Sequence, residues 1–168
     1  MKFHNLIIPL IILFISCGDE TTEPEETVPT LALTPDALSI IVGQEGDLTL
    51  QIKDFDVSIF GISMRVAYDS SNVSFSKSTG FAAGDFFGSN IVAFVGEESA
   101  LIYLTVTLQQ GQQDVSGTGN LGKLTFIGKS PGSSTVEIIS SELNFYDSDG
   151  NGVTISGLEI EIATVTVL

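Results

Sequence analysis

The chain has 168 residues, 43% of them hydrophobic, and sets 21 Asp and Glu against six Lys and Arg for a formal net charge of −15. That excess of negative charge repels nucleic-acid phosphates and anionic lipid, which excludes both as partners of a folded surface. The single histidine, His4, and the single cysteine, Cys17, lie at the extreme N-terminus and there is no tryptophan, so the rest of the chain has no Ser-His-Asp or Cys-His site and no His/Cys zinc site. Paired carboxylates are the remaining catalytic option; no spacing singles out a pair, and the chain reads as a non-enzyme.

Residues 1–16 read as a secretory signal: Lys2, an apolar run from Leu6 to Ile15, then Ser16 before Cys17. The run is short for a membrane span. FISC (14–17) resembles a bacterial lipobox, with Phe14 where leucine is usual, which implies that Cys17 is acylated and becomes the mature N-terminus. A lone thiol in an exported chain has no intramolecular disulfide partner, which agrees with lipid attachment. The alternative is a plain signal peptide with an incidental thiol. Cleavage would leave all 21 acids but only five bases, Lys53, Arg65, Lys77, Lys123 and Lys129.

Residues 17–30 form the next segment. GDETTEPEETVPT (18–30) has one apolar side chain, Val28, and cannot bury enough surface to order itself. As an extended tether it reaches at most about 45 Å. The acids that follow Cys17 resemble the start of surface-exposed lipoproteins of Gram-negative bacteria, so the expected location is the outer membrane, at the cell surface, with lipid as the only membrane contact.

From Leu31 to Leu168 the pattern is β. Leu48, Leu50 and Ile52 alternate with Thr49, Gln51 and Lys53, and Ile62, Met64, Val66 and Tyr68 with Ser63, Arg65 and Ala67. Leu124 and Phe126, Val136 and Ile138, and Ile160 and Ile162 continue the period of two on the expected core side. VGQEGD, YDSSN, GQQDVSGTGN, KSPGSS and DSDGNG punctuate these runs as turns. TGFAAGDFFG (79–88) leaves room for no more than a turn of helix. The apolar parity shifts between Ile160/Ile162 and Val165/Val167, which predicts a β-bulge at Ala163–Thr164. Many short half-buried strands in one domain, 31–168, predict an all-β two-sheet sandwich.

Within it, Tyr68 should end a strand with its ring in the core and its hydroxyl at a backbone partner. Asp69 should cap the following turn. Gly117 and Gly119 should supply backbone angles closed to other residues, and Pro131-Gly132 should reverse the chain.

The segments GQEGDLTLQI, IFGISMRVAYDSSNVSF, VSGTGNLGKLTFIGKSPGSSTVEI, LNFYDSDGNGVTI and ATVTV, in this order, resemble a cohesin domain over nearly all of 31–168. Tyr68-Asp69 and the G-x-G…L-x-F…G run from Gly117 to Gly132 are the most specific pieces. The resemblance implies a jelly-roll sandwich of about nine strands that binds a dockerin module on one sheet face. In that family the strand before Tyr-Asp supplies outward polar contacts; its counterparts here are Gly61, Ser63 and Arg65. Gly61 and Ser63 stand where cellulosomal cohesins carry amide and acidic side chains. A single module on a lipid anchor is similar to the isolated cohesin-like domains of non-cellulosomal bacteria.

Two further candidates come from the residues. Phe86 and Phe87 in GDFFGSN cannot both point inward from an extended strand: either one is an exposed partner anchor, or both are buried in an irregular loop. Asp147, Asp149 and Asn151 match the first half of a calcium loop. The bidentate acid of an EF-hand would fall at Leu158, however, with Glu159 one residue late. The segment is then a turn, using Gly150 and Gly152 for positive φ, or a turn with a weak calcium site not needed for folding.

The expected function is a non-catalytic, membrane-anchored surface docking module for a dockerin-like or other protein. Carbohydrate binding is the alternative, although sugar-stacking aromatics are reduced to Tyr68, Tyr103 and Tyr146. A purely structural surface lipoprotein is the third reading.

Overall fold

A computed structural model describes residues 27–76 and 79–168. The signal, Cys17 and tether residues 18–26 lie outside the described residues, as does Lys77.

Among the described residues fourteen strands follow in order: β1 (Thr30–Thr34), β2 (Ala37–Ile40), β3 (Glu45–Ile59), β4 (Gly61–Tyr68), β5 (Val73–Phe75), β6 (Phe81–Ala83), β7 (Ile91–Glu98), β8 (Leu101–Leu108), β9 (Val115–Gly128), β10 (Gly132–Ile138), β11 (Asn144–Tyr146), β12 (Gly152–Val153), β13 (Glu159–Glu161) and β14 (Ala163–Val167). Nine of them have four residues or more, the number anticipated, and the others are fragments of two or three. Residues 79–88 hold β6 and a bend rather than helix, and the one helical turn among the described residues is a 3-10 turn at Ser140–Glu142.

The smaller sheet runs β13-β1-β3-β9, with β5 and β6 sharing the outer flank of β9. The larger runs β7-β8-β4; beyond β4, β10 leads to β14 and β2, and β11 leads to β12. Period-two alternation turns one side of each strand into a shared apolar layer. Leu48, Leu50, Ile52, Leu124 and Phe126 meet Ile62, Met64, Val66, Ile102, Leu104 and Val106 there, all at most 2% exposed. Tyr68 packs its ring edge-on to Phe126, 5.5 Å between centroids.

The end of the chain differs from expectation. Ile160 is only partly buried and Ile162 is 53% exposed. β13 pairs parallel with β1 in the smaller sheet, whereas β14 pairs with β10 and β2 in the larger one. The parity shift is therefore the chain's passage from one sheet to the other at Ile162, not a bulge. Register shifts occur instead between β3 and β9, after Leu50, Ile52 and Phe55, where Asp54 takes φ 55°.

Candidate functional site

The two outward faces of the sandwich differ in chemistry. That of the smaller sheet is closed by its own ion pairs: Lys123 to Asp47 at 2.7 Å and Lys53 to Glu161 at 3.4 Å. Lys123 and then Thr125 hold the Asp47 carboxyl below its ordinary range.

The outward face of the larger sheet is built in cross-strand rows. Phe94, Thr105, Ser63 and Asn144 lie side by side across β7, β8, β4 and β11, and the next row is Gly96, Tyr103 and Arg65. Phe94 is 65% exposed and Val92, two residues along, 38%. Thr105 donates to Ser63 at 3.0 Å between hydroxyls. The result is an apolar edge at β7, a hydroxyl strip in the middle and a cation beyond it. Strand backbones fix the spacing, so the surface is rigid.

Arg65 has partners within the molecule. Its guanidinium sits 4.9 Å from the centroid of the Tyr103 ring, and one nitrogen lies 3.2 Å from Glu142. Glu142 reaches it because the flank of β4 is interrupted. Ile139 still donates to the Arg65 carbonyl, and residues 140–142 then leave the sheet as the 3-10 turn. Both side chains of the pair remain about two-fifths exposed (41% and 43%), which makes it worth at most about 1 kcal/mol.

Ser63 and Arg65 thus lie on one accessible face as expected; the other partner-binding candidates do not. Gly61 belongs to the face by register but is buried, and a Cβ there would lie 3.1 Å from the Thr107 hydroxyl, so it offers no contact surface. Phe86 and Phe87 are 7% and 6% exposed. The segment turns rather than extends: Gly88 donates to the Asp85 carbonyl, while Phe86 donates to Asn120. A turn sends consecutive side chains the same way, so Phe86 packs on Phe55 and Phe87 at centroid distances of 6.5 and 5.0 Å. Gly119 serves that packing and not a special φ, since a Cβ would come within 3.1 Å of the Phe86 backbone; Gly117 does take φ 102°.

The sequence reading passed over Phe94 and Val92, and named Tyr103 only among the aromatics that could stack a sugar. The signal was present in IVAFVGEESALIYLTVTL (91–108), where an alternating strand places an aromatic and a valine on the parity opposite to Val95. Ser99 and Ala100, both at positive φ (54° and 64°), close this hairpin, the geometry of a tight two-residue turn. Tyr68 pins it, its hydroxyl donating to Glu97 at 3.1 Å, and the same carboxylate oxygen accepts the Ala100 amide at 3.2 Å. The Phe75 backbone acts on the same hydroxyl in the opposite sense to Glu97, working against the rise in its pKa. Asp69 caps its turn as expected, accepting from the Ser71 amide at 2.9 Å.

At the end of the face, Phe60, Thr107, Tyr146 and the loop after it bound a shallow depression of about 320 Å³. That loop joins β11 to β12. Asp147 turns its carboxylate inward: one oxygen accepts the Asp149 and Asn151 amides at 3.0 and 2.7 Å, the other the Asn151 side-chain amide at 3.0 Å. These bonds, the Asn151 side chain's first, hold Asp147 below the ordinary carboxylate range. Gly150 has φ 81°, whereas Gly152 begins β12 without a positive φ. Among the described residues, no three His, Cys, Asp or Glu side chains gather where an ion could be held.

No family model matches the sequence, and no curated protein does. Solved structures match over most of its length. A non-cellulosomal cohesin from the hyperthermophilic archaeon Archaeoglobus fulgidus is 17% identical with a TM-score of 0.65, over 84% of this chain and 92% of the other. The fold is that of a cohesin. A type II cohesin domain from the cellulosome of Acetivibrio cellulolyticus matches at 14% identity and TM-score 0.67, covering 83% and 95% of the two chains. A cohesin from a type I cohesin–dockerin complex of Clostridium thermocellum matches at 15% and 0.64, covering 84% and 100%. The β-sandwich expected from the alternation is thus the cohesin fold expected from the motifs.

Proposed function

We infer that this cohesin-fold domain is a non-catalytic docking module that binds another protein through the outward face of its larger sheet. The observation that carries the reading is the pairing of exposed Phe94 and Val92 with Tyr103, Arg65 and a hydroxyl strip on a rigid strand surface. Aromatic and arginine side chains dominate binding energy at protein interfaces, and the opposite face is occupied by its own ion pairs. The Clostridium thermocellum relative by fold is a cohesin in complex with a dockerin, which supports a dockerin-like partner. No cofactor is required by this reading. A lipid on Cys17 would hold the domain at the outer membrane, facing outward, and the acidic segment after it would act as spacer.

The test compares proteins recovered from the organism's own secreted and surface fraction by the full chain and by two variants, Phe94→Asp and the double variant Arg65→Glu, Ser63→Arg. A specific partner lost by both variants supports the reading; the same proteins recovered by all three refute it. Retardation in polysaccharide gels with no protein recovered would replace it with glycan binding. Replacing Cys17 by Ser should release the protein from the membrane fraction, and unchanged fractionation would refute the anchor.

A further inference from the structure

A free strand edge exposes unpaired backbone N–H and C=O groups, and proteins commonly protect such edges by keeping them short, charged or bulged. Most edge strands here are protected in this way. β2 has four residues, β5, β6 and β13 three each, and β12 two, with Glu159 and Glu161 on β13. β7 is different. It has eight residues, pairs with β8 without a register shift, and reads IVAFVG from Ile91 to Gly96 with no charge and no proline. Ala93 is exposed along with Val92 and Phe94.

The hydrogen-bond phase identifies the free groups. Leu108 donates to the Phe60 carbonyl and Tyr68 to the Ala100 carbonyl, so even-numbered residues of β8 bond to β4. Gln109 donates to the Asn90 carbonyl, so odd-numbered residues of β8 bond to even-numbered residues of β7. In an antiparallel ladder the alternate residues face the other way. Ile91, Ala93 and Val95 therefore turn their N–H and C=O groups to the open edge, where only the Ile91 carbonyl has a partner among the described residues, a long 3.4 Å bond from the Gln109 side chain that a pairing strand would replace.

We propose that this edge pairs antiparallel with the same edge of a second copy, Ala93 facing Ala93 across the two-fold axis. The sequence reads nearly alike in both directions about Ala93. This register opposes Ile91 to Val95 and Val92 to Phe94, matching apolar to apolar and free amide to free amide. It also carries each Glu97 and Glu98 past the apolar stretch of its mate. The half-buried Ile91 and Val95 of the two copies would close each other's rim. A two-fold axis through an antiparallel pair stands perpendicular to the sheet, so both outward faces would point to the same side. The acidic surfaces oppose the association, and salt should strengthen it by screening them. The inference does not depend on what the outward face binds.

Sedimentation of the full chain in detergent, with residue-resolved amide exchange, tests it. The expected result is a dimer whose fraction rises with protein and salt concentration. Exchange at Ile91, Ala93 and Val95 should slow in the concentrated sample, while Val92 and Phe94, already bonded to β8, stay unchanged. Ala93→Pro removes only the outward N–H, since proline is tolerated at an edge, and should abolish dimer and protection together. Ala93→Lys should do the same and decides the matter if the proline variant fails to fold. A chain that remains monomeric throughout, or a dimer that leaves those three amides fast, overturns the proposal. So does protection that appears only when another protein is added.

Discussion

Two neighbouring segments, Asp85–Gly88 and Ile91–Val95, place apolar side chains in opposite ways. In the first, two adjacent phenylalanines are both buried, Phe86 against Phe55 and Gly119 of β9 and Phe87 against Phe86; in the second, Phe94 stands in solvent beside Thr105. The difference is backbone geometry. A turn held by Asp85 and Asn120 points successive side chains together, whereas a strand sends alternate ones apart. A doublet of aromatics in a loop is therefore weaker evidence of a binding anchor than one aromatic on the outward parity of an edge strand.

The contrast can be broken most forcefully by truncating one ring from each segment. Phe86→Ala should cost about 3–5 kcal/mol, the range for a buried ring, while Phe94→Ala should stay within about 0.5 kcal/mol. Denaturant unfolding of the two variants checks this, and equal losses would mean that the rings are placed alike.

Pinning of the exposed hairpin to the core is the next expected effect. Burial first, and the Glu97 charge second, push Tyr68 up to about 12 from the usual 10.0. Folding therefore favours the protonated phenol. Its contribution is complete below pH 10.0 and is lost as the pH climbs through the folded value. Tyr68→Phe should cost about 1 kcal/mol at neutral pH and flatten the alkaline decline. An unchanged alkaline profile of melting temperature would remove the hydroxyl from the account.

Smaller still is the effect of Arg65→Ala on stability, at most about 1 kcal/mol for an exposed pair, although partner recovery should fall sharply. Similar losses of stability and recovery would make Arg65 a structural residue. The weakest expected response concerns the loop at Asp147, whose carboxylate already serves the loop's own amides. A chelator should leave the melting temperature nearly unchanged, because ligand-linked stabilisation vanishes where binding is weak. Unfolding in chelator would reverse that view.

Much of the fold was legible because alternation is a local signal. Leu48, Leu50, Ile52, Met64 and Val66 occupy the core as their parity requires. The Asp69 cap was legible because it involves residues two apart. What escaped depends on partners distant in sequence. Gly61 is covered by Thr107, and β13 and β14 belong to different sheets although only Ile162 separates them. The site was half legible: Ser63 and Arg65 followed from strand parity, but the aromatic edge comes from a hairpin whose register against β4 no local pattern reveals.

The placement of β1 has a mechanical consequence. It lies between β3 and β13, and its first residue, Thr30, is where a pull from an N-terminal anchor would enter the domain. Ladder bonds on both sides run across the direction of that pull. Force applied along β1 would load them side by side, in shear, rather than opening them one after another. A domain held at one end by lipid and at its face by a partner would then yield last at the strand that bears the tension.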